Sequence, residues 1–356
     1  MDRLKGIPFR GVVPAALMPF ADDLSIDRAA FRRHVAILAA TKGVTAILVN
    51  GEAAQASALS LEERRTALAE ALAETGGRVP ILAGVGSGAS DDVEAQAKDA
   101  ERQDAKGLLV FPPARPQTAH GEGRGTGVGS QRPVGVRSNA MNSSTFRGPH
   151  GDREREPSPH PEPESANRTH GEAALERFRR IAGATSLPLV AFQQKVGVGP
   201  GYETEILLRI AAIPSVAAVK EGSGDPLLFE RHLRALRAMP GNIAVWTTHS
   251  RWLLADLATG ADGVVSGMGS VAASLHAQIC EAVWKGDLPA ARAASDRLFP
   301  LVELFYAPGI NAHTRMKAAL ALKGIFPSAR VRPPMRDFPE SELAPLRAAL
   351  ERVGWI

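Results

Sequence analysis

Val216-Ala217-Ala218-Val219-Lys220-Glu221-Gly222-Ser223 is an apolar run that ends on a lysine, a carboxylate and a glycine turn. A stretch of helical period, Pro226–Ala238, follows it. The pattern then repeats: an apolar run at Ile243–His249, a helical stretch at Ser250–Thr259 and a third run at Asp262–Gly269. Strands that are apolar on both faces, each followed by a helix, pack as parallel neighbours covered by those helices. The same unit recurs toward the N-terminus. Strands are expected at Gly11–Phe20, Thr45–Gly51, Pro80–Gly86, Gly107–Pro113 and Pro188–Gln194. The helical stretches between them are Arg28–Ala40, Leu61–Thr75, Asp91–Gln103, Ala173–Ala184 and Glu203–Ala212. Eight such units favour an α/β fold closed as a (β/α)8 TIM barrel over an open doubly wound sheet. Residues 1–287 would form the barrel. Residues 288–356 carry helical pattern without strands and are expected to be a small C-terminal helical domain.

One segment breaks the rhythm. Residues 116–170 hold 7 Pro and 8 Gly, but only five residues from the set Leu, Ile, Val, Met, Phe, Tyr and Trp. So little apolar surface does not offset the entropy of ordering 55 residues, and disorder is expected. The segment follows strand four, where a barrel places an active-site loop. A functional loop, a linker-like insertion and a mis-read stretch of gene would all give this composition. Its four histidines (His120, His150, His160 and His170) lack metal-ligand spacing and are assigned no role.

Composition excludes several classes. The chain has 356 residues, 44% hydrophobic and 22% charged, as a globular α/β protein does. The net charge of +4 comes from scattered Lys and Arg, and stacking aromatics make up only 5%, so no nucleic-acid partner is expected. Cys280 is the only cysteine, which excludes an intrachain disulfide and any multi-cysteine metal cluster. It lies in the apolar run Leu275–Val283, the setting of a buried structural thiol. Met1–Arg10 lacks a signal-peptide core, and no window approaches the roughly 20 apolar residues of a membrane span. A cytoplasmic protein without a membrane partner is expected.

Barrel enzymes place their chemistry at the carboxyl ends of the strands, and sorting the nine lysines by that rule is informative. Lys5 is terminal, Lys42 and Lys106 precede strands, Lys98 is helical, and Lys285, Lys317 and Lys323 fall in the C-terminal helical region. Lys195, after strand five, and Lys220, within strand six, remain. An amine embedded in an apolar strand is poorly solvated, which disfavours its charged form. A neutral amine is what attack on a carbonyl requires. The plain alternative is a lysine paired with a carboxylate inside the barrel.

The stretch Val219-Lys220-Glu221-Gly222-Ser223-Gly224-Asp225 resembles the Schiff-base lysine strand of the dihydrodipicolinate synthase / N-acetylneuraminate lyase family. Other stretches match in order. Gly11-Val12-Val13-Pro14-Ala15 to Pro19-Phe20 looks like the opening strand, and Gly51 through Leu59-Ser60-Leu61-Glu62-Glu63-Arg64 like the substrate-binding turn and its helix. Pro80-Ile81-Leu82-Ala83-Gly84-Val85-Gly86 resembles strand three, and Gly260-Ala261-Asp262-Gly263-Val264-Val265-Ser266-Gly267 resembles strand eight. The resemblance implies a barrel with appended helices and a homo-oligomer, commonly a tetramer. It also implies a lyase in which Lys220 condenses with a 2-oxo acid such as pyruvate. The imine then serves as electron sink for aldol cleavage, condensation or dehydration, with no metal or organic cofactor.

The departures fall on proton transfer and carboxylate binding. The family turn Gly-Thr-Thr-Gly-Glu is here Gly51-Glu52-Ala53-Ala54-Gln55, which lacks both hydroxyls. Strand five, usually ending Tyr-Asn-Val-Pro, ends Phe192-Gln193-Gln194-Lys195, so a phenyl ring replaces the phenol. Strand four leads into Pro112-Pro113-Ala114-Arg115 in place of Pro-Tyr-Tyr. The two tyrosines, Tyr202 and Tyr306, lie on neither strand, so the usual relay is not expected. The resemblance therefore carries the reaction class further than the lysine-biosynthetic substrate.

Lys220 is the expected nucleophile, with Glu52 and Gln193 as proton-moving groups. Gly51, Ala53, Phe192, Ser223, Ser266, Gly267 and His249 are the expected substrate-binding residues. Lys195 could bind an acidic substrate tail or be a solvated loop lysine. Two other functions compete: a binding or regulatory protein that keeps the fold, and a phosphate-binding barrel isomerase or epimerase. The second would use Gly267-Met268-Gly269-Ser270 as its phosphate cradle. Gly84-Val85-Gly86-Ser87-Gly88 lacks the spacing of a dinucleotide fingerprint and is taken as a loop at the end of strand three.

Overall fold

The computed structural model describes residues 10–87, 92–114, 163–196 and 199–356. Eight strands form one parallel sheet: β1 (Gly11–Pro14), β2 (Ile47–Val49), β3 (Ile81–Val85), β4 (Gly107–Val110), β5 (Leu189–Gln193), β6 (Val216–Glu221), β7 (Ala244–Thr247) and β8 (Gly263–Ser266). Their order is β1-β8-β7-β6-β5-β4-β3-β2, so each strand lies beside its sequence neighbour and β1 pairs with β8. The β1–β2 seam is closed by bridges rather than a full ladder, Val12 to Val44 and Ala15 to Leu48. The Thr45 N–H donates to the Val12 carbonyl (3.0 Å) and the Ala16 N–H to that of Leu48 (2.9 Å). A side chain at Gly11 would collide with Thr45, which is why this seam needs a glycine. The structure is a TIM barrel. Every strand position is buried, as the unbroken apolar runs require.

Helices α1 (Arg28–Ala40), α2 (Leu61–Thr75), α3 (Val93–Arg102), α4 (Pro163–Ala184), α5 (Thr204–Ala211), α6 (Pro226–Arg237), α7 (Leu253–Thr259) and α8 (Gly269–Trp284) cover the barrel. The helix before β5 begins at Pro163, ten residues earlier than the Ala173 expected from periodicity. The last residues of the segment expected to be disordered, 163–170, are thus helical; its greater part lies outside the described residues. His170 is buried, with Nε2 2.9 Å from the Pro200 carbonyl oxygen.

After the barrel come α9 (Leu288–Phe305), α10 (Ala312–Leu322) and α11 (Leu343–Arg352). Asp287 caps α9 by accepting from the Ala290 N–H, and Pro289 is tolerated in its first turn. The loop between α9 and α10 is fixed by Arg315, whose guanidinium is buried in α10. Its Nη1 donates to the carbonyls of Ala307 (2.6 Å) and Ile310 (3.1 Å), and its Nη2 to Pro308 (3.2 Å). Glu342 completes the set through Nε (2.7 Å) and Nη2 (3.0 Å). Arg315→Met keeps the aliphatic volume but strips three carbonyls and a carboxylate of their donor. We expect a loss of about 2–4 kcal/mol in stability, measured by urea denaturation.

Candidate active site

Side chains alternate along β6, so Lys220 and Glu221 point to opposite faces. Lys220 lies in register with Phe192 of β5 and Trp246 of β7. The residue is 5% exposed, and its amine sits over the Phe192 ring, with Nζ 3.7 Å from the ring centroid. Phe111, after β4, packs edge-on against Phe192 with centroids 5.5 Å apart. The β4–β5 wall beside the amine is therefore apolar. Burial lowers the Lys220 pKa from 10.5 to about 8, opposed by the charge of Glu52. Roughly one amine in ten is then neutral at pH 7.

Glu221 faces outward from β6 and is fully buried between the sheet and its helices. His232 of α6 meets it at 2.9 Å through Nδ1, and the Ser223 N–H lies 3.3 Å from both carboxylate oxygens. Asp225 then caps α6 by accepting from the Leu228 N–H (2.9 Å). The turn after the lysine is thus fixed from behind.

The turn after β2 carries Glu52, Ala53, Ala54 and Gln55. Glu52 is exposed at the mouth, and Gln55 adopts a left-handed backbone at φ 53°. Several groups hold this turn. The Asn50 amide donates to the Arg64 carbonyl (3.0 Å), and Arg64 donates to the Ala56 carbonyl (2.5 Å). Lys317 of α10 donates to Gln55 Oε1 (2.9 Å) and to the Arg330 carbonyl (3.1 Å). Arg332 donates to the Ala58 carbonyl (2.9 Å) and pairs with Glu63 (2.6 Å), itself half of the capping box that starts α2. Arg332 holds the Glu63 carboxyl down at about 2. Lys317 is fully buried over the Phe20 ring (4.2 Å), and burial lowers its pKa to about 7.

At the end of β8, Ser266 Oγ lies 2.7 Å from Ser250 Oγ and accepts from the Met268 N–H (3.1 Å). Tyr306, at the end of α9, brings its phenol to both serines; burial raises its pKa and those hydroxyls oppose the shift. A phenol thus stands at the β7–β8 end, where strand patterns gave no tyrosine. His313, in the first turn of α10, lies against Gly267: a Cβ there would be 2.8 Å from His313 Nε2 and 3.2 Å from the Ala53 Cβ. Glycine at 267 is what lets the ring lie between β8 and the Glu52–Ala54 turn. Burial and the charges of Lys220 and Lys317 lower the His313 pKa to about 4.

The structure therefore gathers Lys220, Phe192, Ala53, Ser266 and Gly267 at one mouth, with Glu52 at its rim. Other expected residues serve differently. Gln193 was expected to move protons, but its amide donates to the Tyr202 carbonyl (2.8 Å) and accepts from the Tyr202 N–H (3.1 Å). It ties β5 to its loop, with both amide functions occupied. His249 was expected to touch substrate. Its Nε2 accepts from the Gly224 N–H (3.0 Å), so the proton sits on Nδ1, 3.0 Å from Asp256 Oδ2. Both ring nitrogens are taken, and the residue braces the 222–224 turn. Ser223 is buried, and among the described residues its hydroxyl meets the Asp225 carbonyl (3.5 Å). Lys195 is an exposed loop lysine. In the expected phosphate cradle three donors are in use: the Met268 N–H bonds Ser266 Oγ (3.1 Å), the Ser270 N–H the Gly267 carbonyl (3.0 Å) and Ser270 Oγ that of Ala15 (2.6 Å). Tyr306, His313 and Lys317 were not expected here, because their local pattern signals only helix.

Cys280 is buried, with its thiol pushed up to about 12, which fits a structural role. Among the described residues no group of three His, Cys, Asp or Glu could hold a metal ion, and no helix is long and apolar enough to cross a membrane.

A closed parallel barrel with a buried strand lysine and a polar cluster at the carboxyl ends of its strands defines a TIM-barrel enzyme. The dihydrodipicolinate synthetase family model matches residues 8–119 and 167–353. The chain belongs to that family and is a lyase. The 120–166 stretch lies between the two matched segments. A 4-hydroxy-tetrahydrodipicolinate synthase of Kineococcus radiotolerans is 28% identical over 98% of this chain and 94% of its own. One from Moorella thermoacetica is 24% identical over 96% and 98%. Among solved structures, dihydrodipicolinate synthase of Thermotoga maritima superposes with a TM-score of 0.75 at 22% identity, covering 98% of this chain and 99% of that one. Ruminococcus gnavus sialic acid aldolase gives 0.74 at 16% identity, covering 97% of each.

The Lys220–Glu52 coupling has a signed consequence. Acylation of Lys220, followed by peptide mass against pH, should rise with a midpoint near 8. In Glu52→Gln the midpoint should fall, because the charge that favours the ammonium is gone; a rise would contradict the coupling.

Proposed function

We propose that the protein is a Schiff-base lyase in which the Lys220 amine condenses with the carbonyl of a pyruvate-like 2-oxo acid. The observation that carries this reading is the buried amine at the carboxyl end of β6, lowered to about 8 and facing the barrel mouth. Nζ adds to C2, the carbinolamine loses water, and the protonated imine draws electrons from C3. A bond to C3 can then form or break, or a leaving group can be lost beyond it. Ser266, Gly267 and the Gly51–Ala53 turn line the substrate opposite the Phe111–Phe192 wall. Glu52, at the rim, is placed to exchange protons with a second reactant. No organic cofactor enters this scheme.

The family's common assembly supports a homo-oligomer, tetramer or dimer, and Leu227 and Phe299 are large apolar residues left exposed. We read the protein as cytoplasmic, with a dissolved small-molecule partner. The phenol-free β4–β5 wall favours one other reading, a fold-retaining binder without efficient turnover.

Incubation with pyruvate and other 2-oxo acids, borohydride reduction and peptide mass analysis separates the two. The lyase reading expects an adduct on the Lys220 peptide, absent from a folded Lys220→Ala variant. An adduct that survives in that variant sinks the assignment, and no adduct on folded wild type leaves the binder.

A further inference from the structure

We propose that His313, carried to the barrel mouth by α10, is the base that removes the C3 proton of the imine. This deepens the Schiff-base reading and rests on it.

Four observations converge on this ring. First, it lies on the end of β8, with Nε2 against Gly267 and Ala53 across the same point. Second, the hydrogen bond given for His313 uses its backbone N–H, which donates to Asn311 Oδ1 (2.9 Å). Neither ring nitrogen has a partner among the described residues, unlike His249 and His232. Third, the residue is half-buried, and its ring is drawn toward the neutral, proton-accepting form. Fourth, the described residues of the opposite wall offer nothing comparable: β4 and β5 present Phe111 and Phe192, and Gln193 is occupied by Tyr202. In a barrel ordered β1-β8-β7-β6-β5-β4-β3-β2, β8 lies diametrically across from β4. The proton-moving group has changed sides.

The step balances without an outside reagent. Nε2 takes the proton from C3, and the C3–H pair becomes the C2=C3 bond. The C=N π pair moves onto Nζ, giving a neutral enamine and an imidazolium. His313 is coupled to the charge on Lys220. That charge disappears as the electron pair reaches Nζ, so the imidazolium becomes more favourable as it forms. The proton then returns to C3, or goes to the oxygen of a carbonyl acceptor when a C–C bond forms.

Two neighbours compete for the role. Tyr306 is bonded to two serines, and burial raises its pKa, so its basic form is scarce near neutral pH. Glu52 is exposed at the rim.

Methyl-proton exchange of pyruvate in D2O, followed by NMR, reads the C3 step; borohydride trapping reads imine formation. The full-length protein is compared with His313→Gln, Glu52→Gln and Tyr306→Phe in both assays. We expect His313→Gln to slow exchange about a hundredfold or more while Lys220 still traps. Glu52→Gln and Tyr306→Phe should each slow exchange far less than His313→Gln does. Undiminished exchange in His313→Gln overturns the proposal, as does loss limited to Tyr306→Phe or Glu52→Gln. Loss of trapping together with exchange in His313→Gln would mark a structural residue and also overturns it. Wild type that does not trap removes the Schiff-base reading and this proposal with it. Wild type that traps without exchange removes this proposal alone.

Discussion

Keeping one amine dry at the end of β6 sets the terms for the rest of this site. Burial costs Lys220 part of its affinity for a proton, and the phenyl face of Phe192 is its immediate neighbour. A ring face favours an ammonium only modestly, so it supports the lysine without restoring its ordinary pKa. A carboxylate in direct contact would have restored it. Glu52 acts from the exposed rim, and Glu221, next in the chain, is turned to the other face of the strand. The two-residue period of a β-strand thus puts a lysine and a glutamate side by side in sequence and keeps them on opposite sides of the sheet.

The outward face of β6 is as constrained as the inward one. Glu221 meets His232, and His249 bridges Asp256 to the Gly224 N–H, with Thr247 also bonded to Asp256. These groups are buried, so each must be matched by another. Their effect is to hold the Gly222–Gly224 turn and the start of α6 as one body with the strand. A lysine whose backbone shifted would lose its position over Phe192. This network acts on the reaction through position, without touching a reacting atom.

The parts legible in the sequence were those governed by local period and burial. Unbroken apolar runs could belong only to a buried parallel sheet, and Lys220 stood out because a lysine in such a run contradicts its surroundings. Gly51 and Gly267 were expected from the resemblance, and the structure gives a packing reason for glycine at 267, the His313 ring above it. What was not legible depends on chain segments far apart in sequence. Gln193 and His249 occupy ends of strands, where a barrel puts its chemistry, yet their side chains turn to local backbone partners that no spacing reveals. Tyr306, His313 and Lys317 belong to a region whose only pattern is helical. Nothing in that pattern says that α10 folds back over the mouth.

That return of α10 changes the meaning of the departures from the family pattern. At position 55 an amide stands where the family turn has a carboxylate, and its oxygen accepts from the buried Lys317. An amide oxygen is a weaker counterpart to an ammonium than a carboxylate, which fits the lowered pKa of Lys317. The lysine still fixes the turn, through Gln55 and the Arg330 carbonyl, but with less charge at its base. The hydroxyls lost at positions 52 and 53 leave a glutamate and an alanine, and the alanine makes room beside Gly267 for an imidazole. A threonine at 53 would crowd the point where Ala53, Gly267 and His313 converge. The substitutions in the turn and the histidine from α10 are thus mutually compatible: small residues at 53 and 267 are the condition for a ring from the C-terminal helices to reach the strand ends.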